Sequence, residues 1–477
     1  MNAKHIRCKQ QREIIRSETS AQNSVSFFNL LTAPELFDTL EELLPEHRER
    51  LFPPTETLSL FLAQAMQSDR SCQRIVNESA LSRIAHGLKP CSSYTGAYCR
   101  ARQRLPTDLV SSLVRTTGRL LTENIIQDWR WQGRSVYIID GTTVTLPDTP
   151  QNQRAYPQQS AQKPGLGFPI VRIVGATCLA SGAVLDAAMG PYKGKGGSEH
   201  ALLRSILPSF KAGDILLGDS LYGSYYLLAE CQERSIDVVF EQQGGRKRKV
   251  DFRKGKRLGN SDHLIVITKP KQRPDWMSEE CYDNLPEELV IRELKTKNKI
   301  LITTLLSEKE TSKHALKELY QSRWHIELDI RNIKTTMGME TLSCRTPEMA
   351  EKEMWVYLLA YNLIRIIMAE SAKLAGVLPR MLSFKHTVQL WLIWSGQLHS
   401  FDPSQQRKLF QLIAQQQVGK RAGRVEPRAI KRRQKPYSLL MKPRLDAQRD
   451  IRLHGHPPKQ REWNRPGKKQ NIEGVCA

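Results

Sequence analysis

At Ser135 the apolar residues change period. Before it, TLSLFLAQAMQ and DLVSSLVRTTGRLLTENII repeat their apolar residues at the spacing of one helix face. After it, SVYIIDGTTVTLPD is a β-branched apolar strand that ends in Asp-Gly. A polar loop, QNQRAYPQQSAQKPGLGF, follows, and then FPIVRIVGATCLASGAVLDAAMG reads as two strands joined around Ser181-Gly182. HALLRSILPSF has the pattern of an amphipathic helix, and DILLGDSLYGSYYLLAECQERSIDVVF reads as strand, turn, helix, strand. Three strands, helix, strand, helix, strand is an α/β order.

The texture divides the chain of 477 residues into three parts. Residues 1–130 are expected as an all-helical, DNA-binding domain, with Thr57 and Asp108 as helix caps. Residues 131–400 are expected as the α/β core. Within it, 241–310 break the pattern: GGRKRKVDFRKGKR is a basic loop, and HLIVITKP, ELVIRELK and KILITTLL read as three further strands. Residues 311–400 are mostly helical again. The remainder, 401–477, is a basic C-terminal segment, a candidate for DNA contact or dimerisation. Between 420 and 469, 17 Lys and Arg stand against four acids. Such a block is expected to stay flexible until it meets an anion.

That tail holds more than half of the whole chain's formal charge of +23, from 72 Lys and Arg against 49 Asp and Glu. So large a surplus favours a polyanionic partner, nucleic acid above all, although a merely soluble basic protein has the same balance. No basic amphipathic helix argues for a membrane surface, and the longest apolar stretch, MWVYLLAYNLIRIIMAE, is interrupted by Arg365 and short for a span. The polar N-terminus is no secretory signal. Nine scattered cysteines without a CxxC pair suit reduced thiols in the cytoplasm better than zinc or disulfides. No Walker P-loop is present, so no nucleotide cofactor is expected.

Three acids stand where they can do chemistry. Asp140 and Asp219 each terminate an apolar run, and Glu327 lies on a helix. Hard divalent cations take carboxylate oxygens, and two such ions can clamp the attacking and leaving oxygens of a phosphodiester. Each acid alone reads equally as a turn former or a solvated surface group. In YQSRWHIELDIRNIK, however, Tyr320, Arg323, Glu327 and Lys334 follow steps of three, four and seven, which fall on one helix face. The stripe suits a metal ligand flanked by phosphate-binding groups. It equally suits a surface salt-bridge ladder, and spacing alone does not choose between them.

Tyr-x2-Arg-x3-Glu-x6-Lys resembles the motif of the DDE transposases of bacterial insertion sequences, insertion sequence family four. YIIDGTTVTLPDT resembles the family's first-Asp strand, LLGDSLYGSYYLL its second-Asp segment, MWVYLLAYNLIR the helix after the motif, and SYTGAYCRARQRLP its N-terminal region. The likeness covers roughly residues 55–400. It implies an RNase H-like core with a β-rich insertion between the second Asp and the Glu, where 108 residues separate Asp219 from Glu327. It implies two Mg²⁺ ions, with Mn²⁺ as a substitute: Asp140 bridging both, Asp219 and Glu327 holding one each. It implies phosphate contacts from Tyr320, Arg323 and Lys334. The substrates would be terminal inverted repeats and target DNA. One strand is nicked by water, the freed 3′-OH forms a hairpin, the hairpin is opened, and the 3′-OH attacks the target. A homodimer would hold two ends, beside the nucleoid.

Further candidates are less specific. Arg100, Arg102 and Arg104, interleaved with Tyr94 and Tyr98, suit phosphate contacts or a solvated helix face. The resemblance implies an aromatic residue of the insertion that stacks on a flipped base during hairpin formation; Trp276 is the candidate, with ordinary packing as the equal reading. Glu199 and His200, in GGSEHALL, can sit near the site, but helix capping is the preferred reading. Two alternatives keep part of the reading: a metal-dependent nuclease of the same fold, and a DNA-binding regulator with a decayed site.

Overall fold

A computed structural model describes residues 51–397 apart from positions 86, 195, 248 and 298, together with 403–418 and 440–455. Among the described residues four α-helices precede the sheet: α1 (Pro54–Met66), α2 (Cys72–Ala85), α3 (Gly96–Arg104) and α4 (Thr107–Glu123). Their first 50 expected residues, and most of the basic tail, lie outside the described residues. The starts of α1 and α4 are set by proline rather than by the expected side-chain caps: Pro53 and Pro106 hold the N-cap positions in extended backbone. Thr57 sits inside the first turn of α1, its hydroxyl donating to the Phe52 carbonyl at 3.3 Å. Asp108 lies in the first turn of α4, where the helix dipole favours an acid.

The strand and helix order read from sequence is the observed one: β1 (Val136–Thr145), β2 (Ile170–Cys178), β3 (Val184–Pro191), α5 (Glu199–Ile206), β4 (Ile215–Gly218), α6 (Tyr225–Glu233), β5 (Asp237–Glu241). The polar loop after β1 includes a short helix, Pro150–Ala155, capped by Thr149. The insertion contributes four strands, not three: β6 (Lys256–Gly259), β7 (Asp262–Thr268), β8 (Glu288–Lys295) and β9 (Ile300–Thr303). β6, with the sequence Lys-Arg-Leu-Gly, carries no apolar alternation and so hides inside the basic loop. All strands form one nine-stranded sheet in the order β3-β2-β1-β4-β5-β9-β8-β7-β6. β4 and β5 run parallel to β1, and β2 is antiparallel to both of its neighbours. β9 pairs antiparallel with β5, so the insertion prolongs the core sheet and covers the edge that β5 would otherwise expose.

The motif segment is not one uniform helix. It runs through α7 (Lys313–Gln321), a 3₁₀ turn at Ser322–Trp324, α8 (His325–Arg331) and a π turn at Asn332–Thr336. Then come α9 (Pro347–Ala375), α10 (Phe384–Gln397), α11 (Pro403–Gln415) and α12 (Arg444–His454). α9 is buried along most of its 29 residues and includes the expected buried helix, Arg365 among its interior groups. Among the described residues no helix is long and apolar enough to cross a membrane.

Strand alternation decides what β1 shows to each side. Val136 and Ile138 pack with Leu316, Leu319 and Ile326 of α7 and α8. Tyr137 and Ile139 pack with α5 and α6. A third cluster joins α1, α4 and α9 to Val144, Val171 and Val184 on β1–β3, so helices from before and after the sheet share one core.

Candidate active site

Asp140 has the parity of Val136 and Ile138 and belongs on the side of α7 and α8. It lies mid-strand, not at a strand end: β1 runs on to Thr145 against β2, but its parallel pairing with β4 stops at Ile138. β4 ends at Gly218, so Asp219 lies at the mouth that opens beyond those parallel pairs. The Asp219 Oδ1 accepts from the Leu221 amide at 2.8 Å, which shapes the turn. Asp140 Oδ1 accepts from the Gly141 amide at 2.8 Å.

Arg323 joins the third acid to the first. Its Nη1 stands 3.6 Å from Asp140 Oδ2 and its Nη2 3.9 Å from Glu327 Oε1. Glu327 is otherwise turned outward, with its side chain 69% exposed. Lys334 reaches the continuation of the same strand, donating to the Thr143 carbonyl at 2.8 Å and to Thr142 Oγ1 at 3.4 Å. Two of the four motif residues, Arg323 and Lys334, therefore reach β1 directly, and Glu327 is linked to it only through Arg323.

Tyr320 departs from the expected stripe. It is 6% exposed, its hydroxyl donates to Glu241 Oε2 at 3.3 Å, and the Lys299 ammonium lies 5.1 Å from its ring centroid. Tyr320, near the end of α7, is thus held in the interior beside Glu241 and Lys299. Arg102, also expected as a phosphate contact, is turned into the interior. It is 6% exposed, stacks 4.1 Å over the Phe61 ring, and donates to Gln64 Oε1 and to the Cys72 and Cys344 sulfurs. Arg100 and Arg104, on the other faces of α3, are exposed. Trp276 is 52% exposed, with Arg204 3.6 Å over its ring and Tyr226 against its edge.

Glu199 is the residue that sequence reasoning undervalued. Ser198, not Glu199, caps α5, accepting from the Ala201 amide. The Glu199 carboxylate lies over Gly141, where a Cβ would stand 2.4 Å from its Cδ. The missing side chain at 141 thus admits an acid from the α5 side of the sheet to the neighbourhood of Asp140. Arg172 Nε stands 3.6 Å from Glu199 Oε1, and the buried Tyr222 hydroxyl donates to Oε2 at 3.2 Å. His200 sits against Tyr222, and burial and then Arg204 hold its imidazole below its ordinary value. The only sequence signal for Glu199 was an acid beginning a helix, together with a glycine after Asp140.

The electrostatics register this crowding. Burial pushes the Asp140 carboxyl up to about 6; the Gly141 amide and Arg323 pull it down, and Asp219 and Glu199 push it further up. Negative charge is thus gathered in a half-buried place with incomplete compensation, and its donors are all carboxylate oxygens, the set that hard divalent cations prefer. Among the described residues no three ligands already converge at metal-binding distance. Asp219 and Glu199 are each close enough to act on Asp140, and Glu327 stands across Arg323.

Residues 131–363 match the family described as Transposase DDE domain. Over 411 residues the chain is 30% identical to the transposase InsG for insertion sequence element IS4 of Escherichia coli strain K12, across 83% of this chain and 89% of that protein. Over 143 residues it is 30% identical to the putative transposase InsZ of the same strain, across 30% of this chain and 46% of that one. A piggyBac transposase synaptic complex with hairpin DNA, determined by electron cryomicroscopy, superposes with a TM-score of 0.41 at 11% identity over 82% of each chain.

Proposed function

This chain belongs to the DDE transposases, by its match to the IS4 transposase over most of both chains, and we propose that Asp140, Asp219 and Glu327 are its catalytic carboxylates. As a member of that family it is an enzyme that cleaves and joins DNA and depends on divalent metal ions. Its strand order β3-β2-β1-β4-β5, with β2 alone reversed, is the α/β core to which an RNase H-like reading corresponds. The observation that carries the site reading is Arg323, one guanidinium set between Asp140 of β1 and Glu327 of α8, beside the end of β4 that Asp219 follows.

The residues fit the metal that the family requires. Asp140 and Asp219 would hold it, with Glu327 completing the set and Mg²⁺ as the ion, replaceable by Mn²⁺. When bound, the metal activates the attacking oxygen and neutralises the phosphodiester. The chain's own groups do the rest. Arg323 keeps Asp140 and Glu327 in one neighbourhood before the ion arrives. Lys334, held beside Thr143, offers its remaining protons to a phosphate on the exposed side. The substrate is double-stranded DNA, the ends of an insertion sequence and then a target. In the first step water attacks phosphorus and the bond to the 3′ oxygen breaks, leaving a 3′-OH and a 5′-phosphate. In the later steps a 3′-OH is the attacking oxygen. Arg100 and Arg104 bind backbone phosphates, Trp276 stacks on a base after Arg204 moves away, and two copies hold two ends on cytoplasmic, nucleoid DNA.

The test is nicking and joining of DNA that carries the flanking inverted repeats, with Mg²⁺, by the wild type and by Asp140→Ala, Asp219→Ala and Glu327→Ala. Each variant is expected to bind the ends and leave them uncut. Cleavage surviving in any of the three removes that residue from the site. Light scattering on the end complex, giving two chains per pair of ends, checks the dimer.

A further inference from the structure

Glu327 must present its carboxylate from a helix that has little to hold it. α8 is seven residues long, with a 3₁₀ turn before it and a π turn after it. A helix so short does not keep its own geometry. Two positions on, Asp329 is fully buried. Its Oδ1 accepts from Arg365 Nη2 at 2.7 Å, from Arg380 Nη1 at 3.1 Å and from the Tyr361 hydroxyl at 3.1 Å. Its Oδ2 accepts from Arg380 Nη2 at 2.9 Å and from Thr177 Oγ1 at 3.3 Å. These donors stand on α9, on the turn at Pro379–Met381 and on β2. Arg380 also donates to the carbonyls of Cys178 and Leu179, which locks it to the end of β2. Arg365 fits where Gly182 leaves room: a Cβ there would stand 2.7 Å from its Cζ.

We propose that Asp329 is a positioning residue for Glu327, fixing the rotation and height of α8 against the sheet before metal or DNA arrives. The inference rests on the reading of Glu327 as a metal ligand. Its force lies in the register. Thr177 pairs with Ile138, two residues before Asp140, so the Asp329 carboxylate ties the helix of one acid to the strand pair that carries the other. Apolar contacts from Ile326 and Ile330 let a short helix slide or roll at small cost. Five directional bonds from two cations and two hydroxyls do not. One carboxylate between two guanidiniums is also an arrangement that well-packed apolar residues of equal volume replace without loss of stability. Its use is therefore better sought in placement than in stability.

The test uses the full chain on DNA ends, with three measurements: the Mn²⁺ concentration for half-maximal nicking, Mn²⁺ binding by electron paramagnetic resonance, and the urea midpoint. Glu327→Gln comes first. It should abolish nicking with its midpoint unchanged, and normal nicking by it sinks the ligand reading itself, whatever Asp329 does. Asp329→Asn combined with Arg365→Gln removes one charge of each sign. It should keep DNA affinity within about twofold of wild type while weakening Mn²⁺ binding and raising the Mn²⁺ requirement at least about tenfold. Arg380→Gln, altered on the rim of the network, gives the same comparison if the double variant does not fold. A folded variant of either kind with wild-type Mn²⁺ binding and requirement, beside an inactive Glu327→Gln, overturns the positioning role and leaves the ligand reading standing.

Discussion

Replacing Asp140 by Asn is expected to make the metal-free protein more stable at pH 8 while abolishing its activity. In the folded chain the Asp140 carboxyl is pushed from its ordinary 3.8 up to about 6, chiefly by burial. The side chain is 22% exposed, so solvent screens it only in part. The folded state therefore holds this proton more tightly than the unfolded chain does. Below about pH 3 both states are protonated and nothing is lost. Between about pH 3 and 6 the unfolded chain ionises first and stability falls. Above about pH 6 the full penalty is present and constant, about 3 kcal/mol at roughly 1.4 kcal/mol per tenfold change in affinity for the proton. Asparagine has the same shape, still accepts the Gly141 amide and carries no charge, so Asp140→Asn should recover up to about that amount at pH 8 and almost none at about pH 3. Urea unfolding of both proteins in chelator across this range gives the difference directly, free of the other titrating groups they share. Added Mg²⁺ should then stabilise the wild type, by about 2.7 kcal/mol at a hundred times its dissociation constant, and leave the variant nearly unmoved. A difference that is flat with pH, or a variant less stable than wild type at pH 8, refutes the argument that this site stores uncompensated charge for a cation.

Three other outcomes follow from particular contacts. Gly141→Ala puts a methyl group where the Glu199 carboxylate now lies, 2.4 Å from its Cδ; the flexible Glu yields, the fold persists, and nicking should fall between about ten- and a hundredfold, with a wild-type rate showing that Glu199 has no part at the site. Arg102→Ala should lower stability by roughly 2 to 4 kcal/mol in urea with DNA affinity per folded molecule unchanged, because the side chain packs on Phe61 rather than facing solvent. Arg100→Ala with Arg104→Ala should do the opposite, leaving the urea midpoint in place and reducing the salt dependence of DNA binding by about two phosphate contacts; an unchanged salt slope removes α3 from the DNA path.

Much of the architecture was legible because its signals are local. The change of period at Ser135, the apolar runs before Asp140 and Asp219, and the order of strands and helices all come from neighbours a few positions apart, and the observed elements β1 to β5 follow them. β6 escaped because a strand of Lys-Arg-Leu-Gly has no apolar face, and it exists only because β7 lies beside it. The stripe of Tyr320, Arg323, Glu327 and Lys334 was legible as spacing but not as geometry. The segment is broken by a 3₁₀ turn and a π turn, and its residues part: Tyr320 meets Glu241 and Lys334 meets Thr143, both far away in sequence.

Local pattern by itself determined the α/β order and the apolar runs that lead into Asp140 and Asp219, and it carried the resemblance to the DDE transposases. Periodicity and turn chemistry act between residues close along the chain, so they can be read without knowing the fold. Only the tertiary structure decided which charges are used inside and which face outward. It buried Arg102 and Asp329, brought Glu199 over Gly141, set Arg323 between Asp140 and Glu327, and joined the insertion to the core sheet through β9. A charged side chain's role depends on what packs against it from another part of the chain, and no spacing along one segment carries that information.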